Sequence, residues 1–115
     1  CEESEFTFNV PLTDEIRLTG RLDALRKTEK GYEILDWKTG SSKNIEPESD
    51  YQTIVYLFCI YELFKYYKKI SNFDELKMTY FFLKENKSAT VAFSEEKYKK
   101  YNRDYNFMFG AFFSK

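Results

Sequence analysis

Ile34-Leu35-Asp36-Trp37-Lys38-Thr39-Gly40 passes from apolar to charged residues within one short segment and stops at a small polar pair. Alternation over Tyr32–Lys38 predicts a strand with Ile34, Asp36 and Lys38 on one face and Glu33, Leu35 and Trp37 on the other. Asp36 and Lys38 therefore leave the same side of the chain. Taken singly, such a pair reads as a surface ion pair of little energetic weight. Its neighbours on either side change that reading.

Upstream, Glu29-Lys30-Gly31 reads as a hairpin turn, and Glu15–Thr28 alternates as a second strand. In it Ile16, Leu18, Gly20, Leu22 and Ala24 face one way, and Arg17, Thr19, Arg21 and Asp23 the other. If the two strands pair, Asp23 comes near Asp36. Two adjacent carboxylates repel, and a cation between them removes the cost. Further upstream, Glu5–Val10 reads as a first strand closed by the turn Pro11-Leu12-Thr13-Asp14.

Downstream, Thr39–Asn44 is a polar loop, and Pro47 with Glu48 and Asp50 marks a helix start. The helix is predicted to run to about Lys69, with Gln52 and Tyr56 on one face of its first turns. Ser71–Glu75 is a linker, and Lys77–Lys84 is a strand apolar on both faces. Ala89–Phe93 is a short strand, and Ser94 caps a last helix. Tyr98, Tyr101, Tyr105, Met108 and Phe112 form its core stripe, and Lys97, Lys99, Lys100 and Arg103 a solvated basic face. The order is β-β-β-α-β-β-α. It predicts an α/β fold bordering on α+β, with helices packed on one mixed sheet.

Composition narrows the chemistry. The chain has 115 residues, enough for one domain spanning 1–115, and 20% of them are aromatic, which supplies a core. The net charge of −1 does not announce a polyanion binder, although a local patch is allowed. Histidine is absent, which excludes His-based triads, His-containing zinc sites and imidazole acid–base catalysis. Two cysteines, Cys1 and Cys59, cannot build a four-Cys zinc or iron–sulfur site. They read as free thiols of a reducing, cytoplasmic compartment. No apolar run approaches the ~20 residues of a membrane span. Carboxylates and lysine must carry any chemistry, and a hard cation such as Mg²⁺ suits them.

Three pieces thus occur in order: Gly20-Arg21-Leu22-Asp23, Asp36-Trp37-Lys38-Thr39-Gly40, and Gln52 with Tyr56. The set resembles the PD-(D/E)XK nuclease superfamily, and within it the RecB-like (AddB/RecB-type) exonuclease domains. The resemblance implies a restriction-endonuclease-like core and hydrolysis of DNA phosphodiester bonds. It implies that Asp23 and Asp36 bind Mg²⁺ or Mn²⁺, with the main-chain carbonyl of Trp37 as a further ligand. Lys38 would orient or activate the attacking water, and Gln52 and Tyr56 would serve at the DNA backbone and the edge of the site. DNA and a helicase domain or subunit are the implied partners, in repair or recombination. Trp37 reads as a packing residue, and Thr39 and Gly40 as servants of the turn.

Two departures bear on activity. Relatives carry a further site residue on a helix upstream of the first strand. Glu2, Glu3 and Glu5 are poor stand-ins for it, so the chain is expected to be a fragment of a larger protein without that helix. No Cys-rich segment follows, so no iron–sulfur cluster is expected in this chain. A non-cleaving nuclease-fold module that binds DNA or a partner is the alternative. A metal-dependent hydrolase of RNA or a nucleotide is a third reading.

Overall fold

The computed structural model describes the backbone of residues 2–3, 6–11, 17–22 and 24–105, and the side chains of residues 24–105. Its strands are β1 (Glu2–Glu3), β2 (Phe6–Pro11), β3 (Arg17–Leu22), β4 (Ala24–Lys27), β5 (Tyr32–Lys38), β6 (Leu76–Phe82) and β7 (Lys87–Ala92). Its α-helices are α1 (Tyr51–Tyr66) and α2 (Glu95–Asp104). Strands β1-β4-β5-β6-β7 form one mixed sheet in that order, and β2-β3 form a separate antiparallel pair. The architecture is α+β and compatible with the restriction-endonuclease-like core that the resemblance implies, with five strands rather than three before the first helix.

The sequence reading differs from the structure in several places, and Pro11, read as part of a turn, is the last residue of β2. The long second strand, Glu15–Thr28, is two strands in two sheets, β3 and β4. The period of two runs on through the division, so side-chain alternation carries no mark of it. The helix begins at Tyr51 and not at Pro47, which lies in a turn. Asp50 is the N-cap, its side chain accepting from the Gln52 N–H, and this satisfies a donor that Pro47 could not. The helix ends at Tyr66, because Lys68 takes a left-handed conformation (φ 60°) and the Lys69 N–H turns back to the Phe64 carbonyl. The linker holds a 3-10 turn, Phe73–Glu75, closed by a capping box with Asn72.

Three strands and a helix set the frame of the site. β4 and β5 are an antiparallel hairpin in which Ala24 pairs with Leu35 and Lys27 with Tyr32. β5 and β6 are parallel, Asp36 lying beside Tyr80 and Lys38 beside Phe82. Parallel neighbours need a crossover, and α1 is that crossover. Chain leaving the carboxyl end of β5 must return along the sheet, so the first turn of α1 stands near that end.

The core lies between this sheet face and the helices. Leu57, Phe58, Cys59 and Ile60 are all fully buried. A helix apolar around most of its girth must be covered on more than one side. The sheet covers α1 on one side and α2 on another, where the Phe58 and Tyr98 rings stack at 4.7 Å. Tyr61, Phe73, Phe93 and Tyr98 complete an aromatic cluster, and Tyr101 is buried beside them. The predicted stripe on the last helix is therefore core as far as Tyr105; Met108 and Phe112 lie outside the described residues. Burial, then the charge of Glu62, pushes the Cys59 thiol up to about 12, so it stays protonated. Among the described residues no helix is long and apolar enough to cross a membrane.

Candidate active site

Asp36 and Lys38 extend from the same face of β5, toward the start of α1. Lys38 Nζ lies 3.0 Å from Asp36 Oδ2 and donates to Gln52 Oε1 at 2.8 Å. Gln52 Nε2 donates to Asp36 Oδ1 at 3.4 Å. An ammonium is a donor only and a carboxylate an acceptor only, so the Gln52 carboxamide has one orientation that serves both. Asp36 is 6% exposed, whereas the Lys38 side chain keeps 27% of its surface in contact with solvent. The carboxylate is thus held inside, and the cation stands at the mouth.

The first turn of α1 is fixed from two sides. Asp50 Oδ2 accepts from the Gln52 N–H at 3.1 Å. The Thr53 and Tyr80 hydroxyls share a hydrogen bond of 2.5 Å, fully buried between α1 and β6. The Tyr80 ring lies beneath Lys38, with Nζ 5.6 Å from its centroid. Burial holds the Tyr80 phenol well above its ordinary value of 10.0; the Thr53 hydrogen bond opposes that rise, and the charges of Asp50 and Asp36 add to it. Tyr80 is therefore a neutral hydroxyl at any working pH.

The residues singled out in the sequence take different places. Asp36, Lys38 and Gln52 come together. Asp23 lies outside the described residues, although Ala24 pairs with Leu35, the residue before Asp36. Tyr56 is half-buried one helical turn beyond Gln52 and packs against the core. Trp37 points to the opposite sheet face, where its ring stacks on Phe81 at 6.0 Å and remains 42% exposed. Packing is thus only part of its environment. Gly40 has no positive φ, and a Cβ there would meet nothing within 4 Å. Neither the turn nor packing requires glycine at that position. The basic face of α2 is largely matched by acids: Lys97 with Glu48, Lys99 with Glu95, and Lys100 and Arg103 with Asp104.

Thr53 and Tyr80 were not marked by the sequence reading as part of the site, and Asp50 was marked only as a helix-start residue. Tyr80 sits in an apolar strand, and its signal was chemical: a phenol on an interior strand needs a buried partner. A second polar cluster lies on the other sheet face. There Arg26 pairs with the buried Glu33, and Thr79 donates to it.

The oxygen donors that the described side chains bring to the first site are the Asp36 carboxylate and the Gln52 carbonyl. This chemistry fits a hard divalent cation and not a soft one. Among the described residues no group of three or more His, Cys, Asp or Glu gathers to hold a metal, so Asp36 is the carboxylate these residues contribute. Gln52 lies in the first turn of α1, where the positive end of the helix dipole is met by the Asp50 carboxylate that accepts from the Gln52 N–H.

No curated protein shows significant similarity to the chain. The family model described as the PD-(D/E)XK nuclease superfamily matches residues 1–109. Nearly the whole chain is covered, Asp36, Lys38 and Gln52 lie inside the match, and the protein belongs to the PD-(D/E)XK nuclease superfamily.

Proposed function

We propose that this domain is the nuclease module of a RecB-like DNA repair or recombination protein, and that it hydrolyses DNA phosphodiester bonds with Mg²⁺ or Mn²⁺. The carrying observation is the Asp36–Lys38–Gln52 triangle at the carboxyl end of β5, facing the first turn of α1. Asp23, Asp36 and the Trp37 carbonyl would hold the cation. When bound, it would supply positive charge against the scissile phosphate and lower the pKa of water.

The chain's own residues do the rest. Lys38 presents an ammonium at the mouth of the site, where it orients water or meets charge developing on a phosphate oxygen. Gln52 holds that ammonium in place and keeps a donor on Asp36. Asp36 is kept in one rotamer by both. The exonuclease mode and the association with a helicase rest on the resemblance of the three ordered motifs to RecB-like domains.

The test is cleavage of end-labelled linear and covalently closed DNA in Mg²⁺ or Mn²⁺. The expected result is metal-dependent degradation of linear DNA, lost in Asp36→Ala and Lys38→Ala while circular dichroism stays unchanged. Undiminished cleavage by both variants overturns the reading. Rapid nicking of closed circles overturns the exonuclease mode alone. Binding of DNA without turnover in either metal establishes a non-cleaving module.

A further inference from the structure

We propose that Tyr80 is a positioning residue for Lys38. Its effect on turnover rests on the nuclease reading above; its effect on Lys38 does not.

Tyr80 acts on both members of the Lys38–Gln52 contact. Its ring is the floor under the ammonium, with Nζ 5.6 Å from the centroid. Such a ring face attracts a cation, more strongly where water is excluded. Its hydroxyl bonds to Thr53 at 2.5 Å, and Thr53 follows Gln52 in the first turn of α1. Tyr80 is also the strand neighbour of Asp36 in the β5–β6 ladder. One fully buried side chain on β6 thus ties together β5 and α1, the two elements that carry the triangle. A lysine side chain has four rotatable bonds and loses much rotamer entropy when ordered. Asp36 and Gln52 hold its tip, and the Tyr80 ring limits how the tip leaves.

Tyr80 is also part of the buried core, so each part of the side chain has to be removed in turn against a packing control. Phenylalanine would keep the ring and lose the bond to Thr53. Leucine would keep an apolar side chain and lose both. The two variants therefore separate the floor from the tether.

The experiment measures two quantities on wild type, Tyr80→Phe and Tyr80→Leu. The first is the NMR relaxation order of the Lys38 Cε methylene, which needs no substrate. The second is kcat and KM on linear DNA. Met78→Ala is the control, a cavity on the same strand and face at a residue outside the site. Tyr80→Leu is expected to release the Lys38 methylene and to lower kcat about a hundredfold, the scale of a small misplacement, with KM within about twofold. Tyr80→Phe is expected to keep Lys38 ordered and to lose less in kcat than Tyr80→Leu. Met78→Ala is expected to lower the melting temperature without changing either quantity well below that temperature. A Lys38 methylene as ordered in Tyr80→Leu as in wild type overturns the proposal. So does a Met78→Ala variant that loses kcat as Tyr80→Leu does. A wild type inactive on DNA whose Lys38 is still released by Tyr80→Leu rejects the nuclease reading and keeps the positioning role.

Discussion

Lys38 Nζ stands 3.0 Å from Asp36 Oδ2, and the two residues are neighbours on one face of one strand. The spacing guarantees proximity, but it does not hold a four-carbon side chain still. Gln52 from the facing helix does that, by accepting from the ammonium and donating to the carboxylate. Gln52→Ala removes both bonds, and Gln52→Glu keeps the acceptor while adding a second negative charge beside Asp36. Both variants are expected to lower kcat on DNA by about ten- to a hundredfold, the scale of lost orientation. Gln52→Glu should also bind Mn²⁺ more tightly than wild type, because a charged oxygen replaces a neutral one. Calorimetry with both variants checks this, and full activity in Gln52→Ala would remove Gln52 from the site.

Asp50 bears on Gln52 through the backbone. Its side chain accepts from the Gln52 N–H, so Asp50→Ala unties the turn that carries the carboxamide. Loss of an N-cap costs about 1 kcal/mol. Asp50→Ser restores a capping oxygen without the charge. The alanine variant is expected to melt earlier and to lose kcat, and the serine variant to recover most of both. Thermal melts and turnover measured side by side decide it; equal losses in the two variants would assign the effect to charge.

β5 and the body of α1 were legible because their signals are local. Alternation around Asp36 and Lys38 fixes the strand face, and the apolar density of residues 54–64 fixes a buried helix. The division between β3 and β4 was not legible, since a strand that changes sheets keeps its period of two. Pro47 and Asp50 both signal a helix start, and only the Asp50 side-chain bond to Gln52 decides between them. Asp36, Lys38 and Gln52, which the structure brings together, were singled out because their order along the chain mirrors a family pattern. Tyr80 was missed because its role depends on Thr53, a residue 27 positions away that only the β5–α1–β6 crossover brings near.

Glu33, on the other sheet face, makes stability depend on pH. Burial by itself raises its carboxyl pKa; the hydrogen bonds from Thr79 and Arg26 and the charges of Arg26 and Lys77 outweigh it. The net position lies below the ordinary 4.5. A folded-state pKa below the unfolded one means that the fold favours the ionised form. That contribution is complete above the ordinary value and is lost as pH falls from there through the lowered one. Glu33→Gln is therefore expected to melt earlier than wild type at pH 7, with the gap closing as the pH is brought below 4.5. Melting temperatures across that range test the claim, and a constant gap would refute it.

Gly31 and Gly40 make opposite demands on a side chain. A Cβ at Gly31 would lie 2.0 Å from the Glu75 carbonyl oxygen, a backbone atom that cannot rotate away. Gly31 directly precedes β5, and Glu75 directly precedes β6, at the point where Tyr32 pairs with Leu76. Gly31→Ala must therefore push the start of one central strand off the other, at a cost of about 1–3 kcal/mol or more. At Gly40 the space is open, and Gly40→Ala is expected to change stability by less than about 0.5 kcal/mol. Denaturant melts give both values. Gly40 follows Lys38 closely at the mouth of the site, so a loss of DNA cleavage in a Gly40→Ala variant of unchanged stability would mean that substrate approaches the backbone there. Equal activity in that variant would place the phosphate path elsewhere.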